Sequence, residues 1–482
     1  EELPSLRNGG LRIADDGGVI VRYDIREGAQ WADGTPISGE DFLFTYQTVM
    51  DPALPTDKSG FDAIVADAIV VNPKSFIFKL AAPSPDAATA FRYIIPKHDV
   101  AGSDFATDWN DTMWVSGGPF RFQEWRLGDS LTLVRNDAYW ESDPATGRQL
   151  PYLDEVMFRF LPETASLIEA LQAGDVQTAR VPPADDLLGA LAATPAVVTQ
   201  RAASTIYSYL LLHFGGINSQ HRPQTPHPDV MSSWFFRAAM AHSVDREALA
   251  AVWGDALPIT GLLDVAAPAW GTPGWSAYAF DPEEARRLIE HGCEFAGRDC
   301  RRDPPQLNLF TFSNNPRRVA VARTLESMLE DVGFAVTLTE FSAETIFGYS
   351  FCDEVYDVAL GGNVNEPTAA GLVAQLAGWD PAAPCPDGGN FAKWGTPDSF
   401  DRGRTAQRYF RLLDVIRHTA DPDSFRDMAA AAEAILADHV DLVPLYARPS
   451  YAASRPGELS GFVHNPFGVD TWNIARWFRP DL

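Results

Sequence analysis

Residues 307–341 constrain the fold more than any other stretch of this chain. Leu307 and Leu309 lie on a strand-like run, Pro316 to Asp331 carries a helical pattern stopped by Gly333, and 334–341 alternates as a second strand. Proline is tolerated in the first turn of a helix, and glycine readily takes the left-handed conformation in which helices end, so both boundaries are chemically marked. Strand, helix and strand within about 35 residues predict a βαβ unit with parallel strands and a right-handed crossover. Parallel strands are covered on both faces, so this part of the chain is expected to be α/β.

The amino-terminal part reads as sheet. Leu11 and Ile13 precede an Asp15-Asp16-Gly17-Gly18 turn, after which Val19, Val21, Tyr23 and Ile25 share one face. Ser38 stands three residues ahead of Asp41 and before an apolar run, a capping-box pattern for a helix through about Met50, ended at Asp51-Pro52. Phe76, Phe78 and Leu80 alternate on a further strand, and strands at 120–125 and 131–135 flank a Leu127-Gly128-Asp129 turn. A helix is expected from about Ala165 to Ala173, stopped by Gly174, with a short strand starting at Asp175-Val176. The segment 218–229, rich in Pro, His, Gln and Asn, has loop composition. Beyond the βαβ unit, a long helix near 424–438 leads to a strand from Leu442 to Tyr446.

At 482 residues the chain exceeds one hydrophobic core, and about three domains or sub-lobes are expected. With 46% hydrophobic residues it carries enough apolar surface to exclude wholesale disorder. No run approaches the roughly 18 apolar residues of a membrane-spanning helix; Tyr209-Leu210-Leu211-Leu212 reads as a buried strand. A net charge of −27 argues against nucleic acid as partner, since binding to phosphates needs a basic surface. Four cysteines, Cys293, Cys300, Cys352 and Cys385, allow three disulfide pairings. The tidy pairing closes a short loop between Cys293 and Cys300 and joins Cys352 to Cys385; free buried thiols are the alternative. Their spacing fits no zinc site.

Catalytic signatures are not found. The chain has no G-x-S-x-G elbow, no H-E-x-x-H, no phosphate-binding G-x-x-x-x-G-K-[ST] and no helix-opening G-x-G-x-x-G. His221 and His227 are too far apart for one helical turn, and adjacent acids such as Glu283-Glu284 say little in so acidic a chain. No catalytic residue, metal ligand or cofactor is therefore assigned.

Five segments in fixed order carry a more specific signal. Ile25-Arg26-Glu27-Gly28-Ala29-Gln30-Trp31-Ala32-Asp33-Gly34-Thr35-Pro36 leads to Ser38-Gly39-Glu40-Asp41-Phe42. Ser116-Gly117-Gly118-Pro119-Phe120 is followed by Trp125, Gly128-Asp129 and Arg135-Asn136-Asp137-Ala138-Tyr139-Trp140. Then come Pro151-Tyr152-Leu153-Asp154-Glu155-Val156 with Ala170-Leu171-Gln172-Ala173-Gly174-Asp175-Val176, the helical Phe236-Arg237-Ala238-Ala239 to Asp245-Arg246-Glu247, and Val443-Pro444-Leu445-Tyr446. Together they resemble the bacterial extracellular solute-binding proteins of family 5, the oligopeptide, dipeptide and nickel type. As bare residues, Trp31, Trp125 and Trp140 read as core anchors, not ligand platforms.

The resemblance implies an α/β, two-lobed periplasmic-binding-protein-like fold of class II type, with mixed sheets, a hinged cleft and an extra small lobe. By that mapping 1–115 is the accessory lobe, 116–218 plus 443–482 the first cleft lobe, and 219–442 the second. It implies capture of a small-molecule, peptide or oligosaccharide ligand for an ABC permease and ATPase complex. The expected protein is a monomer at the periplasmic or extracellular face of the cytoplasmic membrane. The family carries a further amino-terminal stretch, so an export signal, a cleft-lining strand and a lipid anchor are expected ahead of Glu1. The segment Leu360-Gly361-Gly362-Asn363-Val364-Asn365-Glu366-Pro367 resembles the family's "G-W-x-x-D-Y-x-E/D-P", in which the Asp pairs with a peptide's free amine. Asn363 holds the position of that Asp and Leu360 that of the Trp, which makes standard free-amine peptides doubtful ligands. Asn363, Glu366, Tyr446 and Leu360 are the expected ligand-binding residues, with Asn363 on the cleft wall. Asn363 as a cap on the turn after Val358–Leu360 is the alternative. Rival functions are a signal receptor or chaperone, and a hydrolase on a two-lobed scaffold.

Overall fold

The computed structural model describes residues 2–58, 61, 63–105, 107–182, 185–215, 221, 225–263, 274–342, 355–364, 368, 371–372, 376, 392–395, 399 and 403–480. Its contacts divide the chain into two compact units, Glu1–Ala202 with Ser450–Leu482, and Ala203–Pro449. The crossings read from the sequence were 218/219 and 442/443. The contact boundaries instead fall inside two long strands, where no loop marks them.

The first unit opens with β1 (Leu11–Ile13), β2 (Val19–Asp24), β3 (Ile64–Asn72) and β4 (Ser75–Leu80), an antiparallel sheet in the order β1-β2-β4-β3. Alternation along it does what period-2 patterning dictates: Val19, Val21, Phe76 and Phe78 are wholly buried. The helix Gly39–Met50 starts as its capping box predicts. Ser38 accepts from Glu40 N–H, and the Asp41 carboxylate accepts the Ser38 N–H at 2.9 Å. Phe42 and Phe91 then pack with Tyr23, Phe76 and Phe78 in one aromatic cluster. Trp31 is buried with Ala29 and Ile37, as expected of a core anchor.

Next come β5 (Phe120–Arg126), β6 (Ser130–Arg135) and β7 (Glu155–Arg159), an antiparallel meander with a register shift between Phe122 and Glu124. The helix Thr164–Ala173 ends on Gly174 at φ 85°, as read from the sequence. The strand expected at Asp175 begins later, as β8 (Thr178–Val181). Asp175 and Val176 donate their N–H groups back to the Ala170 carbonyl, so they finish the helix and are not free to pair.

Two strands run through both units: β9 (Val198–Leu212) and, last in the chain, a strand at Leu442–Ser454 whose far end pairs with β8. In the second unit β10 (Leu257–Pro258), β11 (Gln306–Phe312), β12 (Ala335–Phe341), β13 (Val358–Val364) and that last strand, β14, form a mixed sheet with β9 in the order β10-β14-β9-β13-β11-β12. β11 and β12 are parallel in register from Gln306↔Ala335 to Phe312↔Phe341, with the helix Pro316–Val332 between them, the predicted βαβ unit. β13 runs parallel to β11 and antiparallel to β9. Leu210, Leu212, Leu309, Val358 and Leu445 are fully buried, as sheet residues covered on both faces must be. The helices Trp234–Ser243 and Pro282–Ala296 pack through Gly292, where the Phe236 ring lies flush. The sulfurs of Cys293 and Cys300 are within bonding distance, with Cα atoms 6.0 Å apart. Cys352 and Cys385 lie outside the described residues.

Candidate functional site

Strand β13 leaves the core of the second unit part-way along its length. Val358 through Gly361 are buried, whereas Gly362, Asn363 and Val364 are exposed. The strand runs straight through Asn363, so this residue does not cap a turn after Leu360; its side-chain oxygen accepts the N–H of Val364 at 2.9 Å. Leu360 pairs with Leu210 and is enclosed in the core. Tyr446 is buried on β14, and Glu366 lies outside the described residues. The exposed carboxamide of Asn363 is thus the described candidate that stands open to a solute.

The two glycines before Asn363 are set by their neighbours. A Cβ at Gly361 would come within 2.8 Å of the Tyr209 ring. At Gly362 it would sit 3.1 Å from the Tyr207 carbonyl, 3.5 Å from the Arg318 guanidinium and 3.7 Å from the Ser208 hydroxyl. Gly362 therefore leaves bare backbone beside a cation.

Arg318 is the third residue of the helix Pro316–Val332, whose start Asn315 caps by accepting the N–H groups of Arg317 and Arg318. That first turn contains no acid, so its two arginines face the positive end of the helix dipole uncompensated. The Arg318 guanidinium stands 5.3 Å from the centre of the Phe312 ring. Arg448, two residues beyond Tyr446, lies 4.6 Å over the Trp253 ring, which is itself 5.6 Å from the Tyr446 ring. Cation–π contacts of this kind orient a guanidinium while leaving its edge free to donate.

The electrostatics set this cluster apart. Burial, and next the charge of Arg448, holds the Arg318 guanidinium below its ordinary pKa; burial does the same for Arg448. Burial also raises the pKa of the Tyr446 phenol. Several other arginines of this unit have partners: Arg323 meets Glu340 at 2.9 Å, Arg298 meets Asp229 and Asp303, and Arg246 donates through Nε and Nη1 to the carbonyls of Pro444 and Tyr278, although its Nη2 is buried without one. Sequence reading singled out Asn363 and Tyr446 but missed Arg318, Arg448, Trp253 and Ser208. The available signal was Arg317-Arg318 at a helix start without an acid.

The first unit holds other features. Trp109, Met113, Trp114, Trp125, Leu131 and Phe160 line an apolar cavity of about 280 Å³, and Trp140 lies under the Arg26 guanidinium at 4.0 Å. Trp125 and Trp140 are thus half-buried, not full core anchors. His464 places Nδ1 2.7 Å from Asp470 and Nε2 3.0 Å from the Ser450 hydroxyl, an order of groups seen in hydrolytic triads. Here the same Asp470 oxygen also accepts the Asn465 N–H, and Gln200 accepts that of His464, so the set closes the 464–470 loop. No cluster of metal-ligating side chains occurs among the described residues.

The profile of the bacterial extracellular solute-binding proteins, family 5 Middle, matches residues 12–383. This chain belongs to that family. Its relatives are distant in sequence. The "Probable monoacyl phosphatidylinositol tetramannoside-binding protein LpqW" of Mycobacterium tuberculosis is 26% identical over 396 residues, 74% of this chain and 59% of that protein. The oligopeptide-binding protein OppA of Bacillus subtilis is 22% identical over 89% of this chain and 77% of its own length. The chain thus spans under two thirds of the first of these relatives. Among solved structures, an oligopeptide-binding protein OppA superposes with a TM-score of 0.77 at 15% identity, covering 97% of this chain and 84% of that one. The periplasmic murein tripeptide-binding protein MppA, in its unliganded open form, gives 0.74 at 18% identity, covering 97% and 87%. The fold is therefore that of two-lobed family-5 binding proteins, with mixed α/β sheets as the sequence implied.

Proposed function

We propose that this family-5 chain is the extracytoplasmic solute-capturing protein of an ABC importer, delivering a peptide-like, glycoside-like or other polar solute to a permease and its ATPase. The observation that carries the reading is the family match over residues 12–383, which takes in the first four of the five ordered sequence segments. An oxidising, extracytoplasmic address agrees with a bridge between Cys293 and Cys300, which would close a short loop and stabilise it by about 2–3 kcal/mol. No helix among the described residues is long and apolar enough to cross a membrane. On this reading residues 1–115 form the accessory lobe, Asn363 touches the solute, and Glu366 follows it on the same segment. Leu360, enclosed in the core, supports the site from behind, and Tyr446 is taken as a further ligand-binding residue. An amide where relatives carry an amine-pairing acid points away from free-amine peptides.

Native mass spectrometry of the full-length protein should find a co-purified polar solute, and that solute should raise the melting temperature by preferential binding to the folded state. A neighbouring permease should import the same solute only when this protein is present. A folded protein that carries no solute, and whose deletion leaves uptake unchanged, would sink the proposal. A second, hydrolytic reading rests on Ser450, His464 and Asp470. Labelling of Ser450 by a fluorophosphonate would favour it; an unlabelled Ser450 would leave these residues a loop clamp.

A further inference from the structure

Two cations and a phenol in the second unit lack the partners that buried polar groups normally have. Neither the Arg318 nor the Arg448 guanidinium makes a hydrogen bond or ion pair with any described residue, although the chain carries 65 acidic residues. Arg448 Nε and the Tyr446 hydroxyl are shielded from solvent and have no hydrogen-bond partner. Ser208 stands close enough to Tyr446 to influence the phenol, yet forms no well-aligned hydrogen bond with it. Gly362 leaves room between the Arg318 guanidinium and the Ser208 hydroxyl. Holding two like charges in mutual repulsion, half-buried and undonated, is destabilising in the free protein. Such an arrangement makes physical sense where an absent anion completes it.

Resting on the solute-capture reading, we infer that Arg318 and Arg448, with the Tyr446 hydroxyl, form an anion clamp that grips a carboxylate or phosphate group of the solute. Two guanidiniums offer planar pairs of donors matched to the oxygens of such a group, and stacking on Phe312 and Trp253 holds each fork in place. The phenol adds a neutral donor.

Calorimetric titration at fixed ionic strength tests the clamp, with trialanine, trialanine amide and inorganic phosphate as probes. Trialanine or phosphate should bind saturably, and Arg318→Gln and Arg448→Gln should each weaken that binding about tenfold or more. Arg323→Gln, which removes an arginine already paired on the surface, should not. Binding of trialanine alone assigns the anion to a carboxylate, and of phosphate alone to a phosphorylated solute; either supports the clamp. Arg448→Lys should retain part of the affinity, because charge survives while the fork is lost. The unliganded Arg448→Gln protein should melt no lower than wild type, since repulsion is relieved; a lower melting temperature with unchanged affinity would mark a merely structural arginine. The clamp is overturned if trialanine amide binds as tightly as trialanine and the arginine variants keep wild-type affinity, an outcome that leaves solute capture intact. Absence of saturable binding by all three probes overturns it as well, while capture itself is still judged by the co-purified solute.

Discussion

At the scale of single residues, two side chains show how burial and chemistry pull apart. His213 is fully buried; its Nδ1 accepts the Gly215 N–H at 3.1 Å and lies 2.6 Å from the Thr225 hydroxyl. Burial holds its pKa down to about 3, whereas an unfolded imidazole titrates near 6.5. Between those values the unfolded chain binds the extra proton, so the stability tied to a neutral His213 is complete above pH 6.5 and is lost as pH falls. From pH 6.5 to 5 the loss is about 2 kcal/mol. Urea unfolding at both pH values should show a smaller loss in His213→Asn than in wild type; equal losses would mean that His213 does not titrate as its burial requires. Asn363 is the opposite case, exposed and uncharged. If it stands where relatives pair an acid with an amine, Asn363→Asp should strengthen binding of a free-amine dipeptide several-fold, because a charge-assisted hydrogen bond exceeds a neutral one by about 1 kcal/mol. Titration of wild type and variant decides it, and no gain would show that Asn363 has another task.

At the scale of elements, much was legible because the signals are local. The Ser38 capping box, Gly174 and Gly333 as helix stops, and the parallel pair β11 and β12 all follow from neighbours a few residues apart. Where a contact from elsewhere intervenes, local preference misleads. Gly292 sits inside a helix, and propensity alone would favour alanine by about 1 kcal/mol. Yet a Cβ there would lie 2.8 Å from the buried Phe236 ring, and overpacking of that kind costs about 1–3 kcal/mol. Gly292→Ala should therefore lower the urea midpoint. Gly189, also helical but with nothing within 4 Å of its missing Cβ, should give a modest rise as Gly189→Ala. A rise in both would mean that the helix at Gly292 yields more easily than its packing implies. The late start of β8 has the same lesson, since hydrogen bonds to Ala170 outrank the strand preference of Val176.

At the scale of the whole molecule, charge is the property read most directly from the chain. A net −27 spread over a folded surface repels itself, and salt screens that repulsion over about 10 Å at 0.1 M. The melting temperature should rise between 10 and 150 mM sodium chloride; a fall would show that attractive pairs such as Arg298 with Asp229 outweigh the self-repulsion. The sequence by itself determined the family, the α/β class and most helix boundaries, because these rest on short-range order and residue identity. Only the tertiary structure decided which groups lack partners. Arg318 and Arg448 are far apart in the chain, and nothing in their immediate neighbours says that one feels the other's charge. That nearness comes from the packing of a helix start against a sheet in which β14, β9 and β13 lie side by side. Whether a polar group is satisfied depends on every neighbour at once, a quantity that exists only after the chain has folded.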